Sequence, residues 1–482
     1  MRTIDRIAGQ QSIWLLIILY AITHSILVNL SSVYAIALFL LFLLILVSVI
    51  YKINLSLIFF HIGTLLISLT TFRLGGEFFN GSDLFYLLSA LLLFVNVLVS
   101  KGNLHKLFIR SNPLLIPFLI FLFGSVLSMM ASDDIRTALI STGKYIFLFG
   151  IWLPCGIFLF DSVRKVRWMF IILAIASLLP ITTCLSDYLL HTKMTAYLDQ
   201  LLNLNIKTAS ENTRFGGVMG HPNNFSVLLV IVFPIAISVT LSSKTVFLRI
   251  CGGIYFISVL TCAMITGSRA GILAFALELF LSYILIVKRK NFFSFMIFLL
   301  IIVSVVQATL TLFPQNPFAR MKIMLKTDIG KYRPDVERVE SMKQAMKYAW
   351  EYPITGIGVE HTATLTSKLF VHNTVVRFWA SIGIFGLISC LWFYGKPLII
   401  CFKSIYKTFK NDFDKRSMMI IILCGFSGSL LFDMTAPQFH NRVKWILVIG
   451  LFALLNIENS SSGKINKDKS NDKIPISSLP VS

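Results

Sequence analysis

Apolar residues in this chain fall in unbroken runs. From Ile13 almost to Asn456, stretches of about 17 to 22 apolar residues recur between short polar connections. At 1.5 Å rise per residue, each run is long enough to cross a hydrocarbon core of ~30 Å as a helix. The pattern predicts about fourteen spans, near 12–30, 33–51, 54–72, 84–100, 113–130, 144–161, 168–188, 223–242, 248–266, 270–287, 292–313, 375–395, 417–433 and 443–457. Strands of a membrane barrel would alternate apolar and polar positions over about ten residues, and these runs do not alternate. The expected fold class is all-α, a polytopic helical bundle of about 12 to 14 transmembrane helices, with the lipid bilayer as its first partner.

Composition agrees. Of 482 residues, 56% are hydrophobic and 13% charged, against roughly 25% charged in soluble domains. Lys and Arg number 43 against 22 Asp and Glu, a formal charge of +21. The excess lies in alternate connections, at Lys52, Lys101/Lys106/Arg110, Arg164/Lys165/Arg167, Lys244, Lys288/Arg289/Lys290 and Lys403/Lys407/Lys410/Lys415/Arg416. Basic residues stay on the cytoplasmic side of inner-membrane proteins, so both termini are expected inside, and the charge needs no nucleic-acid partner. The polar segment from Met1 to Gln11 precedes an apolar run too long for a cleaved signal and reads as a retained anchor. Seven cysteines (155, 184, 251, 262, 390, 401 and 424) lie mostly within apolar runs without C-x-x-C spacing, which suits small core residues. The expected organisation is N-terminal helices over 1–200, a membrane core over 201–458 that includes a loop at 314–371, and a disordered cytoplasmic tail over 459–482.

Two extracytoplasmic connections are long, about 189–222 and 314–371. Long structureless loops are uncommon and invite a functional reading. The second contains an amphipathic helix between Pro334 and Pro353. Val339, Met342, Met346 and Ala349/Trp350 share one face, and Glu337, Arg338, Glu340, Lys343 and Lys347 the other. The apolar face is expected to lie down on the mouth of the bundle.

Three clusters on that side could carry chemistry. Arg214-Phe-Gly-Gly-Val-Met-Gly-His221-Pro-Asn-Asn224 precedes the eighth span; its alternative reading is a capped turn. Thr266-Gly-Ser-Arg269-Ala-Gly271 is so short a connection that Arg269 must sit at the bilayer surface or inside the protein. The third is His372-Asn373, nine residues, Gly383, two residues, Gly386. If 372–386 is one helix, both glycines lie below His372 and let another helix pack there. Arginine forks bind phosphate oxygens and stay charged, and a histidine takes a hydroxyl proton near neutral pH. Arg269, Arg338 and His372 therefore suit a diphosphate leaving group and an acceptor hydroxyl.

These residues resemble a family. The H-N-x9-G-x-x-G element after a long loop, Gly-Ser-Arg at an earlier span start, and Arg338 fifteen residues before Pro353-Ile-Thr-Gly-Ile-Gly358 are together similar to the bacterial O-antigen ligases and polymerases, over roughly 205–395. The resemblance implies a C-type membrane glycosyltransferase, metal-independent, inverting and without cofactor, acting at the outer face of the inner membrane. It implies a glycan on undecaprenyl diphosphate as donor, and as acceptor either another lipid-linked glycan (polymerase) or lipid A-core (ligase), with a chain-length regulator as a further partner. By the same resemblance His372 is the general base and Arg269 and Arg338 bind the donor diphosphate, with Arg214, His221 and Asn373 in support. The Gly-Ser-Arg-Ala-Gly and Gly-His-Pro-Asn-Asn forms favour a polymerase.

Other readings make different demands. A metal-dependent transferase needs a carboxylate pair; Asp133-Asp134 and Asp412-Phe-Asp414 look like solvated loop charge, so no metal is expected. A transporter or flippase would use Glu278, in the middle of the tenth span, but no duplicated halves accompany it. A scaffold would leave Arg269, Arg338 and His372 without purpose.

Overall fold

The computed structural model describes residues 54–68, 73–74, 79–99, 112–132, 134–190, 194–202, 215–242, 245–286, 333–359, 371–409, 412–436 and 439–471. These form α1 (Leu55–Leu65), α2 (Gly81–Val99), α3 (Leu115–Met130), α4 (Ile135–Tyr145), α5 (Leu153–Leu159), α6 (Val163–Leu189), α7 (Met194–Leu202), α8 (Pro222–Ser242), α9 (Val246–Ile265), α10 (Arg269–Ile286), α11 (Arg333–Glu351), α12 (Thr374–Lys403), α13 (Phe413–Asp433) and α14 (Arg442–Asn471). The fold is all-helical apart from a two-residue antiparallel pairing, β1 (Arg73–Leu74) with β2 (Phe79–Asn80).

Among the described residues, seven helices can cross a membrane by length and composition: α4 continued into α5, then α6, α8, α9, α12, α13 and α14. α1, α2 and α3 are shorter apolar helices. Each predicted span from 54 onward meets a helix except 292–313, which lies outside the described residues, as do 12–30 and 33–51. α4 and α5 are joined by wide turns over Ile146–Trp152. That widening frees the Phe149 carbonyl, which accepts from Asn112 Nδ2 at 2.9 Å. The chain is a multi-pass membrane protein.

The core follows from apolar periodicity. Val227 to Phe233 of α8 are buried on every side, as expected of a helix with no polar face. α3 and α9 instead turn Leu119, Phe123, Val126, Ile254 and Ile257 outward. Side chains of this kind, exposed in rows on apolar helices, face lipid. Asp134 caps α4, accepting from Thr137 N, and Asp412 caps α13, accepting from Lys415 N. Asp414 pairs with Arg167 at 2.8 Å, while Asp133 lies outside the described residues. α14 remains helical to Asn471, past the expected start of the tail at 459; extending a formed helix is far cheaper than starting one.

Candidate active site

α13 fixes which helix ends lie together. The Glu278 carboxyl of α10 fits against Gly428 of α13, and Ser282 Oγ donates to Cys424 Sγ at 3.5 Å one turn further on. α10 and α13 are thus antiparallel, and Arg269, at the first position of α10, lies at the Asp433 end of α13. α12 begins at the same end, because Thr374 Oγ1 donates to the Asp433 carbonyl at 3.0 Å. Arg269 and His372 therefore stand at one end of the bundle, on different neighbours of α13.

The start of α12 is built by capping. Asn373 is in an extended conformation and its side chain accepts from Val376 N at 3.1 Å. His372 stands just before the cap, half-buried, and its Nδ1 is enclosed with no hydrogen-bond partner among the described residues. Burial first, and the Arg338 guanidinium second, pull its pKa from the usual 6.5 down to about 4. The imidazole is neutral at physiological pH, and Arg338 is close enough to act on it. Asn373 has a second tie, from its Nδ2 to Met434 Sδ at 3.9 Å.

The glycines of the motif do something other than the sequence suggested. α12 is not one regular helix over 372–386; it breaks at Gly383, with φ +69° and ψ −154°. That break frees the carbonyls of Ala380 and Ser381, which accept from Ile357 N at 3.0 Å and Gly358 N at 3.1 Å, while Ile384 N donates to Pro353 O at 2.8 Å. The segment docked at the break is the Pro353–Gly358 turn, itself turned by positive φ at Gly356 and Gly358. Among the described residues it is this turn, and not a helix, that packs at Gly383: a Cβ there would strike the Ile354 carbonyl. Gly386 is needed because a side chain there would run into the Phe378 carbonyl and Ile382 of the same helix.

The amphipathic helix appears as α11, between the expected prolines, but its docking face is turned by about one position and shares Ala349 with the expected one. Ser341, Ala345 and Ala349 are buried; the two alanines pack against Val371, Val376, Trp379 and Ala380. Val339, Met342, Met346 and Trp350 stay largely exposed. Small residues win because they let two backbones approach closely. Trp350 still reaches Trp379, edge to face, with centroids 5.0 Å apart. This docking brings Arg338 within electrostatic range of His372.

The other candidates are placed as follows. His221 is exposed and caps α8: its carbonyl accepts from Phe225 N and its Nδ1 from Asn223 N at 3.1 Å. Pro222 follows at the first helical position. The capped-turn reading fits these contacts. Arg214 lies outside the described residues. Gly267 turns the chain with φ +58°, and Ser268 caps α10 by accepting from Gly271 N at 3.3 Å, which leaves Arg269 exposed at the helix start. Asp433 escaped the sequence reading. Buried at the end of α13, it accepts from Tyr394 OH and pairs with Lys444. An aspartate ending one apolar span and a lysine just inside the next were the available signal.

Compared with protein families, residues 254–391 match the model described as O-antigen ligase. The match contains Arg269, Arg338, His372, Asn373, Gly383 and Gly386, and it supports the family resemblance of the motifs. No curated protein matches the chain.

Proposed function

Taking the O-antigen ligase and polymerase family as the premise, we propose that the protein is a membrane glycosyltransferase that moves a glycan from undecaprenyl diphosphate to an acceptor hydroxyl during surface polysaccharide assembly. The observation that carries the reading is that Arg338 stands within electrostatic range of His372, both inside the matched segment. The reaction breaks the bond between the anomeric carbon of the donor sugar and the diphosphate oxygen. The acceptor oxygen attacks that carbon from the opposite face and inverts it. His372 takes the acceptor proton, and the diphosphate leaves with the bonding electrons, its charge held by Arg338 and Arg269. No metal enters this scheme.

A base with a pKa of about 4 is weak for this task. The donor eases this in part, because a diphosphate beside Arg338 offsets the guanidinium charge, the smaller of the two causes, and raises the basicity of His372 when substrate is present. The active end faces outward in this account, in keeping with the lysine and arginine distribution.

Between the two branches we favour the polymerase, on the Gly-Ser-Arg-Ala-Gly and Gly-His-Pro-Asn-Asn forms. The test is purified protein with undecaprenyl-diphosphate oligosaccharide and chelator, with and without lipid A-core. A ladder of longer lipid-linked glycans from donor alone is expected. Product only with lipid A-core would make it a ligase, and no transfer under either condition would overturn the proposal.

A further inference from the structure

The end of α11 and the turn that docks at Gly383 are apolar and exposed. Trp350, Tyr352 and Ile354 fall within five positions and are 68%, 47% and 60% exposed. Large apolar side chains gathered on a surface in this way mark an interaction site. The main chain is what holds them in place: Ile384 N donates to Pro353 O at 2.8 Å, and the Ile354 carbonyl fills the space beside Gly383. Trp350 rests edge to face on Trp379, with centroids 5.0 Å apart.

The neighbouring surface shows what these side chains meet. Ile384 heads a row on α12 with Ile388 and Leu391, at helical spacing and all exposed. The next residue, Phe385, lies edge to face with Phe123 of α3 at 5.1 Å, and Gly124 of α3 leaves room for Ile382 and Phe385. Phe123 belongs to the row that α3 turns to lipid. The Ile354 turn therefore caps a continuous lipid-facing surface built by α3 and α12.

Its depth follows from helix length. α12 continues to Lys407 as a helix of 34 residues, about 50 Å at 1.5 Å per residue, well beyond the ~30 Å of a hydrocarbon core. About 20 residues cross that core. Counted back from Lys403, in the last turn of α12, they end beside Gly383. Counted from Lys396, whose Nζ donates to the Pro113 carbonyl just before α3, they end beside Val376. α3 closes at Met130, and Ser128 near that end donates to the Ser381 carbonyl. All three observations put the docked turn at or just inside the boundary of the leaflet on the His372 side. Tryptophan and tyrosine are enriched at that level.

We propose that Trp350, Tyr352 and Ile354 insert into the interfacial zone of the bilayer on the His372 side, so that α11 is seated on lipid at its C-terminal end as well as on α12 along its length. The partner is the lipid surface itself: the boundary between headgroups and acyl chains accepts aromatic rings and an isoleucine, while the exposed Glu340, Lys343 and Lys347 of α11 stay in water. Insertion fixes α11, and Arg338 with it, relative to the membrane surface. The inference stands whether or not the transferase reading does.

The test uses the full chain carrying Cys251→Ser, since Cys251 is exposed and the other six cysteines are buried. A polarity-sensitive fluorophore is attached at Ile354→Cys or, as the comparison, at Glu340→Cys. The Ile354 side chain is exposed while its carbonyl does the docking, so the replacement leaves the turn seated. The labelled chains are placed in nanodiscs of phosphatidylcholine and phosphatidylglycerol, with and without lipid that bears a nitroxide near the headgroup. The nitroxide lipid should remove most of the emission at Ile354→Cys and little at Glu340→Cys, and aqueous iodide should do the reverse. Iodide quenching at Ile354→Cys as strong as at Glu340→Cys overturns the proposal. Protection from iodide without quenching by the lipid means that protein, such as a second copy of the chain, covers the patch, and overturns it as well. In unlabelled chain, the tryptophan emission that brominated lipids quench should fall in Trp350→Phe; an unchanged quenched fraction counts against insertion in the same way.

Discussion

At the scale of single residues, the account turns on the proton of His372. In the free protein the ring is neutral above about pH 4. The base is therefore present through the neutral range, and kcat/KM, which reports free enzyme, should fall only as pH approaches 4. The acid limb of kcat, which reports the substrate complex, should lie higher, because the bound diphosphate offsets Arg338. Both limbs can be read from a pH series of the transfer assay; coincident limbs would contradict the electrostatic link to Arg338. Arg269→Lys keeps the charge and loses the fork, so it should bind donor more weakly than the native chain yet outperform Arg269→Ala.

These residue types and their order were legible in the sequence, because H-N-x9-G-x-x-G and Gly-Ser-Arg are local. What was not legible was partnership. Arg167 and Asp414 meet across 247 positions, and no periodicity reports such a meeting. The structure also recasts His221 as a cap, which a local reading left open.

At the scale of elements, the break in α12 is the joint that seats the loop. Gly383 has a conformation that L residues rarely adopt, and its Cβ position is filled by the Ile354 carbonyl. Gly383→Ala should cost about 1–3 kcal/mol or more, visible as a lowered unfolding midpoint in detergent, with transfer lost because the Pro353–Gly358 turn no longer seats. Ala345→Leu should push α11 off α12. Arg338 then withdraws from His372, and the acid limb of kcat/KM moves up from about 4; an unmoved limb would show that α11 does not deliver Arg338. The hydrophobic pattern found this helix and both of its ends. It placed the docking face about one position off, with Ala349 in common, because it counts apolar bulk, whereas docking against α12 selected the small side chains of Ser341, Ala345 and Ala349. A spacing of four between small residues was the signal that would have found it.

At the scale of the whole molecule, the antiparallel set of α10, α12 and α13 gathers Arg269, His372 and Asp433 at one end, while Glu278 sits mid-span against Gly428. Both Glu278 oxygens are buried without hydrogen-bond partners among the described residues. With no cation paired to it among the described residues, an amide of the same shape replaces the carboxyl at little cost. Glu278→Gln should leave transfer within about twofold of the native chain, whereas a carrier that uses this group for coupling would fail. The spans were the most legible feature of all, since lipid demands long apolar runs. Their mutual packing was not, because every such helix looks alike to a hydropathy count.

The central claim is that His372 is the base of a glycosyl transfer. It is tested most directly in proteoliposomes by comparing the native chain with His372→Ala, using undecaprenyl-diphosphate oligosaccharide and matched amounts of folded protein. The account predicts a loss of roughly 10²-fold or more in transfer rate, with insertion and unfolding midpoint unchanged. Transfer by His372→Ala at the native rate would contradict it.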